Sequence, residues 1–170
     1  MKTPLKIVVV LGLALGAILG MAGTMVTAQN VRAICWAIDS TALIVATSVL
    51  ALTYFRKGCD AVAAGFLVYA IGEAVMLGGT AGALEASVPS FAAGTALWSA
   101  ALLLTAAPKV FALWTRLAAF VGAVLFAITS VRIFCGELVL PTSKPLPYFA
   151  YPFLVLTFVG WIWATLRQID

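Results

Sequence analysis

Long apolar segments follow one another along almost the whole chain, and each has about the length of a membrane-crossing helix. A helix needs ~20 mostly apolar residues to cross the hydrocarbon core of a bilayer. Charged residues and turn residues mark the ends of these segments, which predict spans near 6–28, 33–55, 59–82, 91–107, 115–136 and 148–167. The pattern therefore predicts an all-α, polytopic integral membrane bundle of about six transmembrane helices, forming a single domain over residues 1–170.

The composition agrees with this pattern. Hydrophobic residues make up 64% of the 170 residues and charged residues only 9%, whereas the apolar share of a soluble domain is nearer half. The net charge of +4 does not indicate nucleic-acid binding, because Lys and Arg occur singly or in pairs beside apolar segments and form no basic stripe. We expect a multi-pass protein of a cell membrane, the cytoplasmic membrane if the source is bacterial, with the lipid bilayer as its main partner.

Basic residues are unevenly divided between the two ends of the predicted spans, and such residues are retained on the cytoplasmic side. One end carries Lys2, Lys6, Arg56, Lys57, Lys109, Arg116 and Arg167, and the other carries Arg32, Arg132 and Lys144. Both termini are therefore predicted to be cytoplasmic. The first span has an alternative interpretation as a cleaved secretory signal, because small residues at 26–28 follow its apolar core. Cleavage would leave the remaining topology unchanged.

Three ionisable residues lie at a similar depth within the predicted spans. Counted from Lys57 at about 1.5 Å per residue, Asp39 lies roughly 27 Å and Glu73 roughly 24 Å along their helices. Arg132 lies roughly 24 Å from Arg116 by the same count. A charged residue at the centre of a membrane helix costs roughly 2.5–3.5 kcal/mol on insertion scales. Pairing or contact with water is therefore expected at this level.

These residues are the candidates for a binding site. We expect Asp39, Glu73 and Arg132, with Tyr69 and Thr129 as neutral hydrogen-bonding groups, to line an outward-facing polar pocket that binds or transports a small solute. One alternative is an ion pair of Arg132 with either acid that only fixes helix packing. Another is that Asp39 and Arg132 extend to the lipid headgroups.

A stripe of small residues runs along the first span, where Gly12, Gly16 and Gly20 form a doubled GxxxG motif. Glycines at this spacing share one helix face and allow a second backbone to approach closely. The stripe predicts either packing inside the same bundle or contact with a membrane-protein partner or a second copy. The second use would suit a non-catalytic accessory or assembly subunit of a larger membrane complex.

Two cysteines and a proline-rich segment lie near the predicted outer face. Cys35 lies near the outer end of the second span and Cys135 near the outer end of the fifth, at a similar height. This predicts a disulfide between them, with two free thiols as the alternative. Prolines in the connection 137–151 favour an extended, stiff path across the outer mouth of the bundle. This connection is interpreted either as a lid over the pocket or as a static connector.

Several chemistries have no residues to support them. The chain has no histidine, which removes His-dependent nucleophilic catalysis and the commonest zinc sites. It also has no phosphate-binding GxxxxGK[ST] loop and no CxxC pair. An enzyme, a metal site and a bound cofactor are therefore not expected. The five Trp residues, mostly near span ends, are interpreted as interface anchors.

The architecture resembles that of a known class of membrane proteins. Six spans in a short chain, a small-residue stripe on the first helix and polar residues towards the outside look like the substrate-binding membrane subunits of energy-coupling-factor vitamin transporters. The likeness lies in the architecture and involves no sequence motif. It implies a six-helix bundle that binds a small solute from outside.

Overall fold

Six long helices make up most of the chain. The computed structural model describes residues 1–80 and 82–167. Its helices are α1 Thr3–Met25, α2 Gln29–Phe55, α3 Asp60–Gly79, α4 Val88–Ala106, α5 Leu113–Phe134 and α6 Tyr151–Arg167, with single 3-10 turns at Glu85–Ser87 and Tyr148–Ala150. Counting these turns with α4 and α6, all six are long and apolar enough to cross a membrane. The described residues contain no strand, so the predicted all-α class and helix number are confirmed.

Four helices, α1, α2, α4 and α5, begin two to four residues earlier than the apolar pattern predicted. α2 begins at Gln29 rather than near 33, because Arg32 in its first turn has a structural partner. The Arg32 guanidinium donates a hydrogen bond of 2.7 Å to Val26 O and so satisfies a carbonyl at the end of α1. α4 begins at Val88, with Pro89 inside its first turn. Proline is tolerated there because the first N–H groups of a helix have no intrahelical acceptor.

The helices form a closed ring in chain order. Each helix packs on the next along the chain, and α6 packs back on α1. Successive helices run in opposite directions, so α1, α3 and α5 end where α2, α4 and α6 begin. We call this the distal end of the ring, and we call the end with the start of α1 and the end of α6 the proximal end. In this arrangement α2 packs on α1 and α3, whereas α5 packs on α4 and α6.

The glycine stripe of α1 packs against α2 of the same chain. A Cβ atom added at Gly12 would lie 2.7 Å from a backbone oxygen of α2, and one at Gly20 would lie 2.9 Å from Asp39 Oδ2. A Cβ at Gly16 would overlap the Leu43 side chain. The stripe therefore serves close packing inside the bundle, the first of its two predicted uses. Because α2 covers it, this face is not free to bind a partner helix.

Aromatic side chains fill the centre of the ring. The buried ones are Tyr54, Phe66, Tyr69, Phe91, Trp98, Phe111, Phe126, Tyr151, Phe158 and Trp161. Nine of them, from Tyr54 to Trp161 without Phe91, form one cluster of contacting rings with centroids 4.7–6.2 Å apart. Trp98 and Trp161 thus belong to the core, which corrects their interpretation as interface anchors. Trp114 and Trp163 are exposed on the outside. For these two residues the role of interface anchor stays a prediction.

The outer surface of the ring is apolar. Large side chains such as Ile18, Leu52 and Leu117 are more than half exposed, at 65%, 60% and 56%. A soluble monomer rarely exposes contiguous apolar surface of this kind. The exposed belt is suited to contact with lipid, as the hydropathy of the helices also indicates.

Candidate functional site

A cavity of about 90 Å³ lies inside the distal half of the ring. Side chains from α1, α2, α3, α4 and α6 line it, and among the described residues α5 contributes none. Its polar lining consists of Thr24, Trp36, Asp39, Ser40, Tyr69, Glu73, Thr80, Ser87, Ser90, Trp98 and Tyr151. A space of roughly 10–15 Å³ holds one water molecule. The cavity is therefore large enough for several waters or a small solute.

Glu73 is the most deeply placed acidic residue of the cavity. It lies on α3 roughly 9 Å before the distal end of that helix, and only 1% of its surface is exposed. Ser40 Oγ donates a hydrogen bond of 3.0 Å to Glu73 Oε2. Glu73 Oε1 is buried and has no hydrogen-bond partner among the described residues. One carboxylate oxygen is thus held in place, while the other is unpaired in the lining of the cavity.

The helical repeat of α3 explains why Glu73 points inward. Phe66, Tyr69, Glu73 and Met76 follow one another at intervals of three or four residues, which places them on one face of the helix. Phe66 and Tyr69 are fully buried in the aromatic core. The packing of these rings therefore fixes the rotation of α3 and directs the Glu73 carboxylate into the ring.

Asp39 supplies a second carboxylate from α2. The residue is partly exposed, but its Oδ1 atom is buried and has no hydrogen-bond partner among the described residues. Gly20 on α1 faces this carboxylate, and a side chain there would approach Asp39 Oδ2 to 2.9 Å. Asp39 and Glu73 are close enough to interact electrostatically. The predicted convergence of these two acids is thus present in the structure.

Two hydrogen-bond donors approach the Glu73 carboxylate. Tyr69 Oη and Trp98 Nε1 face it, but neither has a partner that meets hydrogen-bond geometry among the described residues. The two rings are stacked, with centroids 5.6 Å apart and planes inclined by 2°. Packing thus holds both donors beside Glu73, where both can interact with a bound ligand.

The structure does not bring Arg132 to this cavity. Arg132 ends α5 and pairs with Glu137, at 2.6 Å from Nη2 to Oε2, with side chains 38% and 51% exposed. This corrects the expectation that Arg132 lines the pocket or pairs with Asp39 or Glu73. Counting helical rise gives a depth but not the direction in which a side chain points around the helix axis.

We expect Arg132→Gln to leave the midpoint of thermal unfolding nearly unchanged, because exposed ion pairs contribute little to stability. Thermal unfolding of the purified variant would measure this. A large fall in the midpoint would indicate that Arg132 has a buried partner that this structure does not show.

Thr129 is also placed outside the cavity lining. It is fully buried on α5, and its hydroxyl donates a hydrogen bond of 2.9 Å to Leu125 O of the same helix. The neighbouring Ser130 makes the interhelical contact instead, at 2.9 Å from Thr95 Oγ1 on α4. Of the five predicted binding residues, the structure therefore brings together Asp39, Tyr69 and Glu73.

The predicted disulfide is not present. Cys35 and Cys135 are both free thiols. Cys35 lies on α2 and Cys135 follows α5, and these two helices pack on different neighbours. A similar height of two residues does not predict that they meet, because it does not make their helices adjacent.

The connection between α5 and α6 contributes Pro141 to the lining of the cavity. Hydrogen bonds such as Ser143 N to Leu140 O, at 2.9 Å, fold it into turns, which corrects the expected extended path. Tyr151 Oη donates a hydrogen bond of 2.7 Å to Pro141 O, and both residues line the cavity. The connection thus forms part of the wall, and Tyr151 anchors it there.

Sequence reasoning missed several lining residues. Trp36 and Trp98 were interpreted as interface anchors with the other Trp residues, and Tyr151 only as the end of the connection 137–151. Trp98 lies near the middle of α4, away from either predicted interface, and this position could have identified it as an interior residue.

The cavity offers two carboxylates, Asp39 and Glu73, as potential metal ligands. The described residues contain no group of three or more His, Cys, Asp or Glu side chains that could hold a metal ion. The chemistry available in the cavity is hydrogen bonding, charge and contact with aromatic rings.

The chain matches no known protein family, no curated protein and no solved structure.

Proposed function

We propose that this protein binds or transports a small solute in the cavity of its distal half, within a membrane that all six helices cross. The observation that carries the proposal is the buried Glu73 carboxylate, which has one unpaired oxygen and lines the cavity. Asp39 and Tyr69 place further unpaired polar atoms in the same lining. The resemblance to solute-binding membrane subunits is consistent with this function but rests on architecture alone.

Energetics support a binding role for Glu73. A buried polar atom without a partner costs about 1–3 kcal/mol, and more when it is charged. A carboxylate that served only to hold helices together would be stabilised by pairing, yet among the residues that the structure describes Ser40 alone donates a hydrogen bond to it. Ionisable residues inside membrane helices are functional-site candidates for this reason.

The proposed orientation places the cavity on the outside. The proximal end carries most of the basic residues, including Arg56, Lys57 and Arg116, and such residues are retained in the cytoplasm. The distal end, in whose half of the ring the cavity lies, would then face the extracytoplasmic side.

The alternative role as an accessory or assembly subunit has less support. It relied on the Gly12, Gly16 and Gly20 face, and α2 of the same chain covers that face. A partner would have to use another part of the outer surface.

Cysteine labelling tests the proposal directly. In a variant with Cys35, Cys59 and Cys135 replaced by serine, we expect Ser40→Cys to react with a small, membrane-impermeant methanethiosulfonate added outside intact cells. Ala17→Cys gives a second reporter in the same cavity. The reason is that both side chains line a cavity whose mouth is proposed to face outward.

Ser130→Cys is the matched control, since Ser130 is equally buried at 3% exposure but does not line the cavity. It should remain unlabelled. Failure of both cavity reporters to react in folded protein, or reaction from the cytoplasmic side alone, would contradict the proposal.

A further inference from the structure

We propose that the solute is a small organic cation with an apolar portion, such as an amine or quaternary ammonium compound. This inference rests on the proposed function and adds the chemical class of its ligand. It is carried by the unpaired acidic atoms of the cavity, the absence of a basic side chain among its described lining residues, and its aromatic walls.

The charges of the cavity are all of one sign. Asp39 and Glu73 line it, and no Lys or Arg does so among the residues that the structure describes. Arg132 pairs with Glu137 at the outer surface. Arg32 lies over the ring of Trp36, with its guanidinium carbon 5.9 Å from the ring centroid. Two of its N–H groups donate to Val26 O, just after the end of α1. A bound cation would supply the opposite charge that the described lining residues lack.

The remaining walls are suited to the same ligand. The cavity is lined by the aromatic residues Trp36, Tyr69, Phe91, Trp98, Tyr151 and Phe158. Aromatic faces attract ammonium groups, and the attraction is stronger where water is excluded. The same rings also contact the apolar part of a ligand. An anion would meet two carboxylates without a compensating cation, so the lining disfavours it.

The geometry indicates how the ligand would sit. Glu73 Oε1 and Asp39 Oδ1 are the unpaired acceptors, so the cationic group would lie between α2 and α3. Tyr69 and Trp98 would hold the Glu73 carboxylate and present ring surface beside it. The apolar portion would extend along the side facing Phe91 and Phe158.

Three probes with three-carbon chains, small enough for a cavity of about 90 Å³, test the class of ligand. Binding of propylammonium, 1-propanol and propionate to the purified full chain in detergent would be measured by calorimetry. We expect the cation to bind at least about tenfold more tightly than the alcohol, and propionate to bind most weakly. Equal or tighter binding of 1-propanol or propionate would overturn the inference, as would failure of the cation to bind.

Two variants test the assigned acceptors. Glu73→Gln and Asp39→Asn should each weaken propylammonium binding by at least about tenfold and leave 1-propanol binding nearly unchanged. Glu85→Gln is the matched control, because Glu85 is exposed and lies outside the cavity. Unchanged cation binding in both cavity variants would overturn the assignment. Asp39→Asn keeps the test decisive if Glu73→Gln does not fold.

The outcomes separate this inference from the proposed function. Labelling of Ser40→Cys from outside, combined with equal or tighter binding of a neutral or anionic probe, would support solute binding and contradict the preference for cations. A cavity that no external reagent reaches would contradict both proposals.

Discussion

Trp161→Ala is expected to lower the free energy of unfolding by about 3–5 kcal/mol, the range for large aromatic residues truncated in a core. Trp161 is 1% exposed and contacts the rings of Phe66 at 4.7 Å and Phe158 at 5.6 Å between centroids. Its indole nitrogen has no hydrogen-bond partner among the described residues, so the loss would come from packing. Denaturant unfolding in mixed micelles would measure it.

Trp163→Ala provides the matched control on the same helix. Trp163 is 48% exposed, and its ring makes a cation–π contact with Arg167 at 4.3 Å. Its removal should cost no more than about 1 kcal/mol, the value of an exposed contact of this kind. Equal losses for the two variants would contradict the placement of Trp161 at the centre of the ring.

Gly16→Leu is expected to destabilise the bundle by about 1–3 kcal/mol or more, the cost of overpacking a close contact. Gly16 is buried where α1 meets α2, and even a single added carbon would overlap the Leu43 side chain. α1 would have to move away from α2, and this movement would also disturb the cavity wall that both residues form. Thermal unfolding and the elution profile in detergent would report the loss.

Gly78→Leu makes the same substitution on α3 at a position where an added Cβ meets no atom within 4 Å. It should change stability by less than about 1 kcal/mol, since only helix propensity differs. A destabilisation as large as that of Gly16→Leu would show that the effect arises from the glycine substitution itself and not from the α1–α2 contact.

Local properties of the chain explain most of the fold that was predicted correctly. Hydropathy specifies each helix independently of its neighbours, because a bilayer-crossing helix satisfies its own backbone hydrogen bonds. Helical rise likewise places Asp39 and Glu73 at a similar depth on adjacent helices. The alternating direction of the helices follows from short connections between long spans. These quantities require no knowledge of which helices pack together.

The failures at Arg132 and at the two outer cysteines concern direction around a helix axis or adjacency between helices. Arg132 has a depth close to that of Glu73, but it lies on a helix that contributes no side chain to the described cavity lining. Cys35 and Cys135 have matched heights, but their helices have different packing neighbours. The depth of a residue along its helix axis determines neither the direction of its side chain around that axis nor which helices are adjacent.

Hydropathy, chain order and helical rise thus suffice for six helices and for the level of the two acids. Closure of the ring decides which residues meet in the cavity, because the rotation of each helix is set by contacts with residues distant in sequence. The stacking of Tyr69 on Trp98 and the fit of Gly20 against Asp39 are two such contacts. Through them Glu73, an isolated carboxylate in an apolar segment, becomes part of a site with two acids and aromatic walls.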